Sequence, residues 1–214
     1  MKYSFFSNNV YVEEDVSYLE SLNKFSDPYI NEAKENNKKL FINNKDFGLV
    51  HHSSALMNDI NFLKFIESIA KKSYLILDEQ GYDLKDYSLA LRELWVQEFS
   101  KEGGGHHSIH THWNGHISGF YFLRCSDKTS FPIFHDPRPG KIMIQLPEKD
   151  INKITDASEK IILRPKPGTF VFFNSYLGHE FEVDHGIEPF RFIHFNMQAI
   201  PKQLINNDIK RISS

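Results

Sequence analysis

The sequence predicts a mainly β protein with flanking helices, built as a sandwich or a barrel. After residue 85, short runs rich in aromatic and β-branched residues follow one another, separated by Gly, Pro and Asp. Before residue 85, apolar residues recur at helical spacing instead. Nineteen phenylalanines among 214 residues indicate a packed, aromatic interior.

The N-terminal part predicts two helices. Ser26-Asp27-Pro28 places capping residues before a proline at the first helical position of YINEAKENNKK. The second helix follows Asn58-Asp59 and ends at Gly81. Its apolar stripe is typical of a face that packs on a sheet, and consists of Phe62, Phe65, Ile66, Ile69 and Ala70.

The C-terminal part predicts the strands. Lys166-Pro167-Gly168-Thr169 has proline and then glycine where a type II turn needs them. The chain is therefore expected to be one domain, 1–214, with a helix-rich elaboration at 1–85 and a β core at 86–200. The predicted strands are YSLALRELWVQEF, HISGFYFLR, FPIFHD, KIMIQLP, KIILRP, GTFVFFNS and FRFIHFNMQ.

Composition excludes several function classes. A net charge of -3, with 25 basic and 28 acidic residues, gives no footprint for nucleic acid. No run approaches the roughly 20 apolar residues of a membrane span, and the N-terminus lacks the apolar region of a signal peptide. The single cysteine, Cys125, suits a reducing compartment, so we expect a cytoplasmic protein.

The most informative feature is a cluster of histidines in GGGHHSIHTHWNGHISGFYFL. If this run is a strand, His106, His110 and His112 share one face and His107 lies on the other. His110 and His112 then present two imidazole nitrogens to one point, which is how a strand chelates a transition metal. Because the chain has no cysteine cluster, a closed structural zinc site is not favoured.

Two later residues complete the candidate site. His179 follows a strong strand at a glycine-containing corner, where a distant element can meet the first pair of histidines. Arg191 opens the strand RFIHFNMQ. Its planar guanidinium suits a carboxylate ligand, or else it pairs with an internal Asp or Glu.

Four segments, which carry five motifs in order, resemble a bacterial and phage family of 2-oxoglutarate/iron(II)-dependent oxygenases related to prolyl hydroxylases. The family pattern is HxH…SGxYYL…DPR…PGxxxxFPSxLxHxV…RxSxxFN. The matching segments here are GGGHHSIHTHWNGHISGFYFL, FPIFHDPR, RPKPGTFVFFNSYLGHEFEV and RFIHFN, so the resemblance spans about residues 90–198. It implies a double-stranded β-helix (jelly roll) with helices along one face.

The resemblance also implies roles for residues. His110, His112 and His179 are expected to bind iron(II), while Arg191 and Tyr121 are expected to bind the distal carboxylate of 2-oxoglutarate. Most related enzymes have Asp at the position of His112, so the alternative is that an acid such as Asp136 completes the ligand set. The residues expected to contact substrate or support the site are His107, Trp113, Asn114 and Gln97.

The expected function is therefore an Fe(II)- and 2-oxoglutarate-dependent dioxygenase. It would hydroxylate an unidentified small-molecule or peptidyl substrate and release succinate and CO2, with ascorbate as the reductant in an assay. No nucleic-acid or membrane partner is expected, and a homodimer is compatible with an exposed aromatic edge. The alternatives are a cupin-like three-histidine metalloenzyme that does not use 2-oxoglutarate, or a non-enzymatic metal-stabilised binding module.

Overall fold

The computed structural model describes residues 1, 3, 7–40, 49–144 and 146–204, which form ten strands and two α-helices. The helices are α1 (Leu19–Leu40) and α2 (Leu63–Glu79). The strands are β1 (Val10–Glu14), β2 (Val50–His52), β3 (Tyr87–Phe99), β4 (His107–His110), β5 (Ile117–Arg124), β6 (Pro132–His135), β7 (Lys160–Ile162), β8 (Thr169–Asn174), β9 (His179–Phe181) and β10 (Arg191–Pro201).

The strands form two antiparallel sheets, which confirms the predicted mainly β architecture with flanking helices. The larger sheet has the order β1-β8-β5-β10-β3-β2, and the smaller has the order β4-β9-β6-β7. Strands β1 and β2 come from the part of the chain where only helices were predicted, and they form the two edges of the larger sheet. The N-terminal segment therefore extends the sheet as well as covering it.

Side-chain alternation on β8 shows how the core is divided. Phe170 and Phe172 pack in the cluster that includes α1 and α2, whereas Val171 and Phe173 pack in the cluster between the sheets. All six residues of β8 are buried, as expected for a strand covered on both faces. Phenylalanines dominate the inter-sheet cluster, namely Phe99, Phe120, Phe122, Phe134, Phe173, Phe181, Phe190 and Phe192.

The second helix follows its sequence signals more closely than the first. Asp59 accepts a hydrogen bond from the Asn61 backbone N–H, and Gly81 adopts a φ of 90° just after α2, as predicted. Helix α1, in contrast, begins at Leu19, and Pro28 lies inside it, so the predicted start was wrong. Ser26 and Asp27 contact an arginine of the sheet instead of capping a helix.

The segment KIMIQLP was wrongly predicted as a strand. Residues Lys141–Met143 form a short 3-10 turn, and Met143, Ile144 and Leu146 are exposed. Gly140 and Pro147 bound this short segment. Its apolar residues alternate with period 2, but it pairs with no strand among the described residues. The Pro167-Gly168 turn agrees with its prediction, since the Thr169 N–H donates to the Lys166 carbonyl at 3.0 Å and Gly168 has φ 91°.

No helix in the described part of the chain combines the length and the apolar character that crossing a bilayer requires.

Gly119, on the central strand β5, faces the helix-covered side of the larger sheet, where its neighbours leave no room for a side chain. A Cβ there would lie 2.4 Å from Cζ of Phe195 and 2.4 Å from the carbonyl oxygen of Val171. We expect Gly119→Ala to destabilise the protein by about 1–3 kcal/mol, because neither the ring nor the backbone can yield easily. Gly140→Ala is the matched control, since nothing lies within 4 Å of its Cβ position, and it should be neutral in urea denaturation. Equal stability of the two variants would contradict this packing.

Candidate metal centre

Strand pairing brings the first two histidines together. Strand β4 pairs with β9 so that His110 lies opposite His179, and the centroids of their rings are 4.4 Å apart. The His179 ring also packs against Phe120 and Phe173, so it is buried between the two sheets. Residues 110 and 179, far apart in the chain, thus meet on the inner face of the smaller sheet.

His112 follows β4 and turns back to the same point. Its backbone N–H donates to the Ser175 carbonyl at 2.9 Å, which fixes the chain beside β8. Its Nε2 lies 3.3 Å from Nε2 of His179. One nitrogen each from His110, His112 and His179 lies within 4.8 Å of the others. Nitrogens bound to one ion at about 2.1 Å lie roughly 3 Å apart, so this spacing suits a shared cation.

Backbone carbonyls select the tautomer of two of these imidazoles. Nδ1 of His110 lies 2.7 Å from the Ser108 carbonyl, and Nδ1 of His179 lies 2.9 Å from the Leu177 carbonyl. Each carbonyl can only accept, so Nδ1 carries the proton in both rings and Nε2 keeps its lone pair. The lone pairs of His110 and His179 are therefore oriented before any ligand arrives.

Burial keeps His112 and His179 neutral. It lowers the pKa of His179 to about 3, against the opposing effect of the Leu177 carbonyl, and lowers the pKa of His112 to about 4, with help from the neighbouring His110. Neutral imidazoles are the form that binds metals, and three of them suit iron, zinc, copper or nickel. The donor set therefore fits a divalent transition metal without selecting one.

A register shift reverses the predicted roles of His106 and His107. The pairs His107↔Phe181 and His110↔His179 are three positions apart along β4 but only two positions apart along β9. This extra residue turns the His107 ring inward, 5.8 Å from the ring of His110. His106, which simple alternation placed with His110, is exposed and contacts the Gly104 carbonyl.

A further histidine, His194, was not predicted to take part. It lies on β10, is fully buried, and stacks between Trp95 at 4.3 Å and His112 at 4.4 Å. Neither of its ring nitrogens has a hydrogen-bond partner. The sequence could have placed His194 on the same face of the strand as Phe192 and Asn196, because it lies two positions from each and residues two apart in a strand share a face.

The family comparison covers the strands that carry all of these histidines. A family model described as "Putative 2OG-Fe(II) oxygenase" matches residues 93–196. The match covers 104 of the 214 residues, so this segment is similar to 2OG-Fe(II) oxygenases. The resemblance drawn from the motifs is thus confirmed, while no curated protein sequence matches the chain.

Solved structures share the fold of this chain. SnoN, a non-heme alpha ketoglutarate dependent epimerase from nogalamycin biosynthesis, superposes with a TM-score of 0.56 at 11% identity, covering 89% of this chain and 76% of that one. A prolyl-4-hydroxylase from Pseudomonas putida gives a TM-score of 0.53 at 9% identity, covering 90% and 93%. AviO1 from Streptomyces viridochromogenes gives 0.55 at 11%, covering 89% and 90%. These similarities confirm the jelly-roll fold.

Arg191 is buried but faces away from the clustered histidines. Its Nε donates to Glu98 Oε2 at 2.7 Å, and its Nη1 donates to Ser26 Oγ at 3.1 Å and to Asp27. These partners include two residues of α1, on the helix-covered face of the larger sheet. The prediction that Arg191 grips the cosubstrate therefore disagrees with its placement, and the structural alternative, an internal ion pair, is what the structure shows.

The spacing within the last motif explains this disagreement. In the family pattern RxSxxFN, arginine and the final asparagine are six residues apart and share a face of the strand. Arg191 precedes Asn196 by five residues, so the two side chains lie on opposite faces. The residue six positions before Asn196 is Phe190, which packs in the inter-sheet cluster. The position of the family arginine is thus occupied by a phenylalanine.

Tyr121 is also directed away from the metal centre. Its hydroxyl donates to the Asp15 carbonyl at 2.8 Å, and its ring packs against Phe65 and Phe170 under the helices. Burial, with the nearby Asp15, raises its pKa. The predicted contact between Tyr121 and a cosubstrate carboxylate is therefore not formed, because β5 presents residue 121 to the helix side of the sheet.

The other residues predicted to contact substrate or support the site are Gln97, Trp113 and Asn114, and of these Gln97 alone is buried. Gln97 is buried on the inner face of β3, and its Oε1 has no hydrogen-bond partner. Trp113 is 86% exposed, and Asn114 adopts a φ of 55°, so both lie in a surface turn that follows His112. Gly115 closes this turn against Asn196, whose Oδ1 would lie 1.9 Å from an added Cβ.

Asp136, the predicted alternative ligand, is engaged elsewhere. Arg138 donates to both of its carboxylate oxygens, and this pairing lowers its pKa to about 2. The carboxylate that approaches the histidines is that of Glu93, which groups with His112 and His194 within 4.8 Å. Glu93 is exposed, whereas His179 is fully buried.

Removing one histidine tests the donor set. We expect His179→Ala to weaken cobalt(II) binding by at least about 100-fold, because losing a ligand costs more than losing a group that supports one. His106→Ala, in the same histidine-rich run, should bind cobalt(II) like the wild type. Isothermal titration of the folded proteins measures both, and equal affinities would show that the cation binds elsewhere.

The Arg191 network predicts a loss of stability. Arg191→Met leaves the buried Glu98 with Lys34 as its remaining hydrogen-bonded cation and should cost about 3 kcal/mol in urea denaturation. Lys38→Met removes only an exposed ion pair with Glu35 and should change stability by less than about 0.5 kcal/mol. A stable Arg191→Met variant would contradict the structural role of this arginine.

Glu98 also predicts a pH dependence. Burial raises its pKa, but its bonds to Lys34 and Arg191 outweigh burial and leave that pKa below its ordinary value. A lowered folded-state pKa contributes stability above the unfolded pKa of about 4.3, and the contribution is lost as pH falls through the folded value. Between about pH 6 and about pH 3 the wild type should therefore lose more stability than Glu98→Gln. Parallel losses would contradict this assignment.

Proposed function

We propose that this chain is an iron(II)-dependent oxygenase that couples oxidation of a 2-oxo acid to hydroxylation of a second substrate. With 2-oxoglutarate, the balanced reaction consumes dioxygen, the oxo acid and a C–H bond, and yields succinate, CO2 and an alcohol. The proposal is carried by one observation: nitrogens of His110, His112 and His179 converge within 4.8 Å. The family match and the shared fold support it.

The chain's own residues supply the position and the environment of the reaction. His110, His112 and His179 would hold iron(II), and iron supplies the activation of dioxygen when bound. Three protein ligands leave positions open for a cosubstrate and for dioxygen. The phenylalanines between the sheets exclude water from the inner side of the site, which limits side reactions.

The second substrate is expected to approach over the turn that follows His112. The exposed indole of Trp113 and the amide of Asn114 lie at this entrance, beside a ligand of the proposed iron. An exposed aromatic ring and an amide suit a small molecule or a peptidyl group equally well. We propose that both residues contact this substrate.

A three-histidine enzyme that uses no oxo acid is the second candidate. It is favoured by the ion pairs of Arg191, which remove the expected partner of a dicarboxylate from the site. The family match favours the oxygenase, because that family is defined by its use of 2-oxoglutarate.

Succinate formation separates these candidates. The purified chain with iron(II), ascorbate, dioxygen and 2-oxoglutarate should release succinate slowly even without its second substrate. His179→Ala should reduce this rate by at least about 100-fold, while His106→Ala should retain it. Absence of succinate from folded, iron-loaded wild type would contradict the proposed function.

A further inference from the structure

The inner face of the fold contains polar atoms that the protein itself leaves without partners. Oε1 of Gln97, Nε2 of His107 and both ring nitrogens of His194 are buried and make no hydrogen bond. Buried polar groups in folded proteins are almost always hydrogen-bonded, so each exception calls for an explanation. These three side chains lie on the inner face of the fold, as do the rings of His110, His112 and His179. A ligand bound there would supply the missing partners.

No cation is available to such a ligand on this face. Arg124 and Arg191, on the central strands β5 and β10, both turn toward α1 and share Asp27. In the described part of the chain, no lysine or arginine hydrogen-bonds, ion-pairs or stacks with any of the five inner histidines. The residues on either side of Arg191, Phe190 and Phe192, both pack in the inter-sheet cluster. A carboxylate beside His107 and Gln97 would therefore meet neutral side chains.

Two of the unpartnered side chains share a neighbour, Phe192. The His107 ring stacks on Phe99 at 5.7 Å and lies 6.4 Å from the ring of Phe192. Gln97 pairs in register with Phe192 across β3 and β10. Both residues thus border Phe192, and the His107 ring lies 5.8 Å from the ring of His110.

The third unpartnered side chain, His194, is placed differently. Its ring is covered by Trp95 on one side and by His112 on the other. Both faces of its ring are therefore covered. A cosubstrate that chelates the metal and extends toward Phe192 would meet His107 and Gln97 instead.

We propose that His107 and Gln97 bind the far end of the 2-oxo acid cosubstrate by hydrogen bonds alone, without an ion pair. The amide and the imidazole each offer a donor and an acceptor, so they accept a carboxylate, a carbonyl or a hydroxyl group. The pocket consequently takes 2-oxo acids with uncharged tails nearly as well as 2-oxoglutarate. This inference rests on the proposed function, since it requires that an oxo acid chelates the metal.

Anaerobic binding to the iron(II)-loaded chain tests the proposal without turnover. The probes are 2-oxoglutarate and 2-oxobutyrate, each titrated against the weak visible charge-transfer band that a chelating oxo acid produces, with iron content measured separately. We expect the two dissociation constants to agree within about tenfold, because no charge-assisted bond to an arginine, worth about 10-fold to 100-fold, favours the dicarboxylate.

Four variants sharpen this test. Gln97→Leu and His107→Phe, which keeps the stacking on Phe99, should each weaken 2-oxoglutarate binding by about tenfold at unchanged iron content. Gln97→Glu adds a negative charge of nearly the same shape, so it should weaken 2-oxoglutarate far more than 2-oxobutyrate. Arg191→Lys keeps the charge beside Glu98 and should leave both constants unchanged.

The outcomes separate this inference from the proposed function. A preference for 2-oxoglutarate above about 100-fold that Arg191→Lys abolishes would overturn the inference and assign the carboxylate to Arg191. Binding of both probes that ignores every change at Gln97 and His107 would also overturn it, while leaving the proposed function intact. If neither probe produces the band although iron remains bound, the proposed function itself fails.

Discussion

The pairing of β4 with β9 sets His110 opposite His179, and the chemistry of the site depends on that register. A shift by one residue would turn one of these rings out of the inner space. The carbonyls of Ser108 and Leu177 then fix the rings so that Nε2 faces inward. Burying polar imidazoles is unfavourable, and the packing of the phenylalanines around them offsets that cost.

Arg191 on the helix side of β10 stabilises the fold, whereas side chains on the inner face of β10 line the candidate site. On the helix side, Arg191 joins Glu98 to Ser26 and Asp27 and so fixes α1 to the sheet. On the inner side, Phe192 and His194 border the metal centre. A buried arginine with several partners is costly to disturb, which makes it a poor candidate for binding and releasing a cosubstrate in each cycle. Neutral groups whose hydrogen-bonding atoms are not already paired within the protein are better suited to that exchange.

The sequence predicted the strands best where apolar runs are long and buried on both faces. The strand YSLALRELWVQEF corresponds to β3 with the same bounds, and TFVFFN corresponds to β8. It failed at KIMIQLP, because an alternating pattern shows only that a strand is feasible, and pairing depends on neighbours distant in the chain. The edge strands β1 and β2 are too short to give a periodic signal of their own.

Within the candidate site, identity was easier to predict than orientation. The spacing of His110 and His112, together with His179, pointed to residues that the fold does bring together. His107 and Arg191 were assigned to the wrong faces, because a single extra residue in β4 and a single missing one before Asn196 each reverse the alternation. Such one-residue differences change no composition or hydropathy, and the second was visible only by counting positions in the motif.

Iron K-edge X-ray absorption of the iron(II)-loaded chain tests the central claim most directly, because multiple scattering from imidazole rings counts the histidines bound to the metal. Three imidazoles on one iron are the result that the convergence of His110, His112 and His179 predicts. Two imidazoles with a protein carboxylate would contradict it and would place the ion with Glu93, His112 and His194 instead.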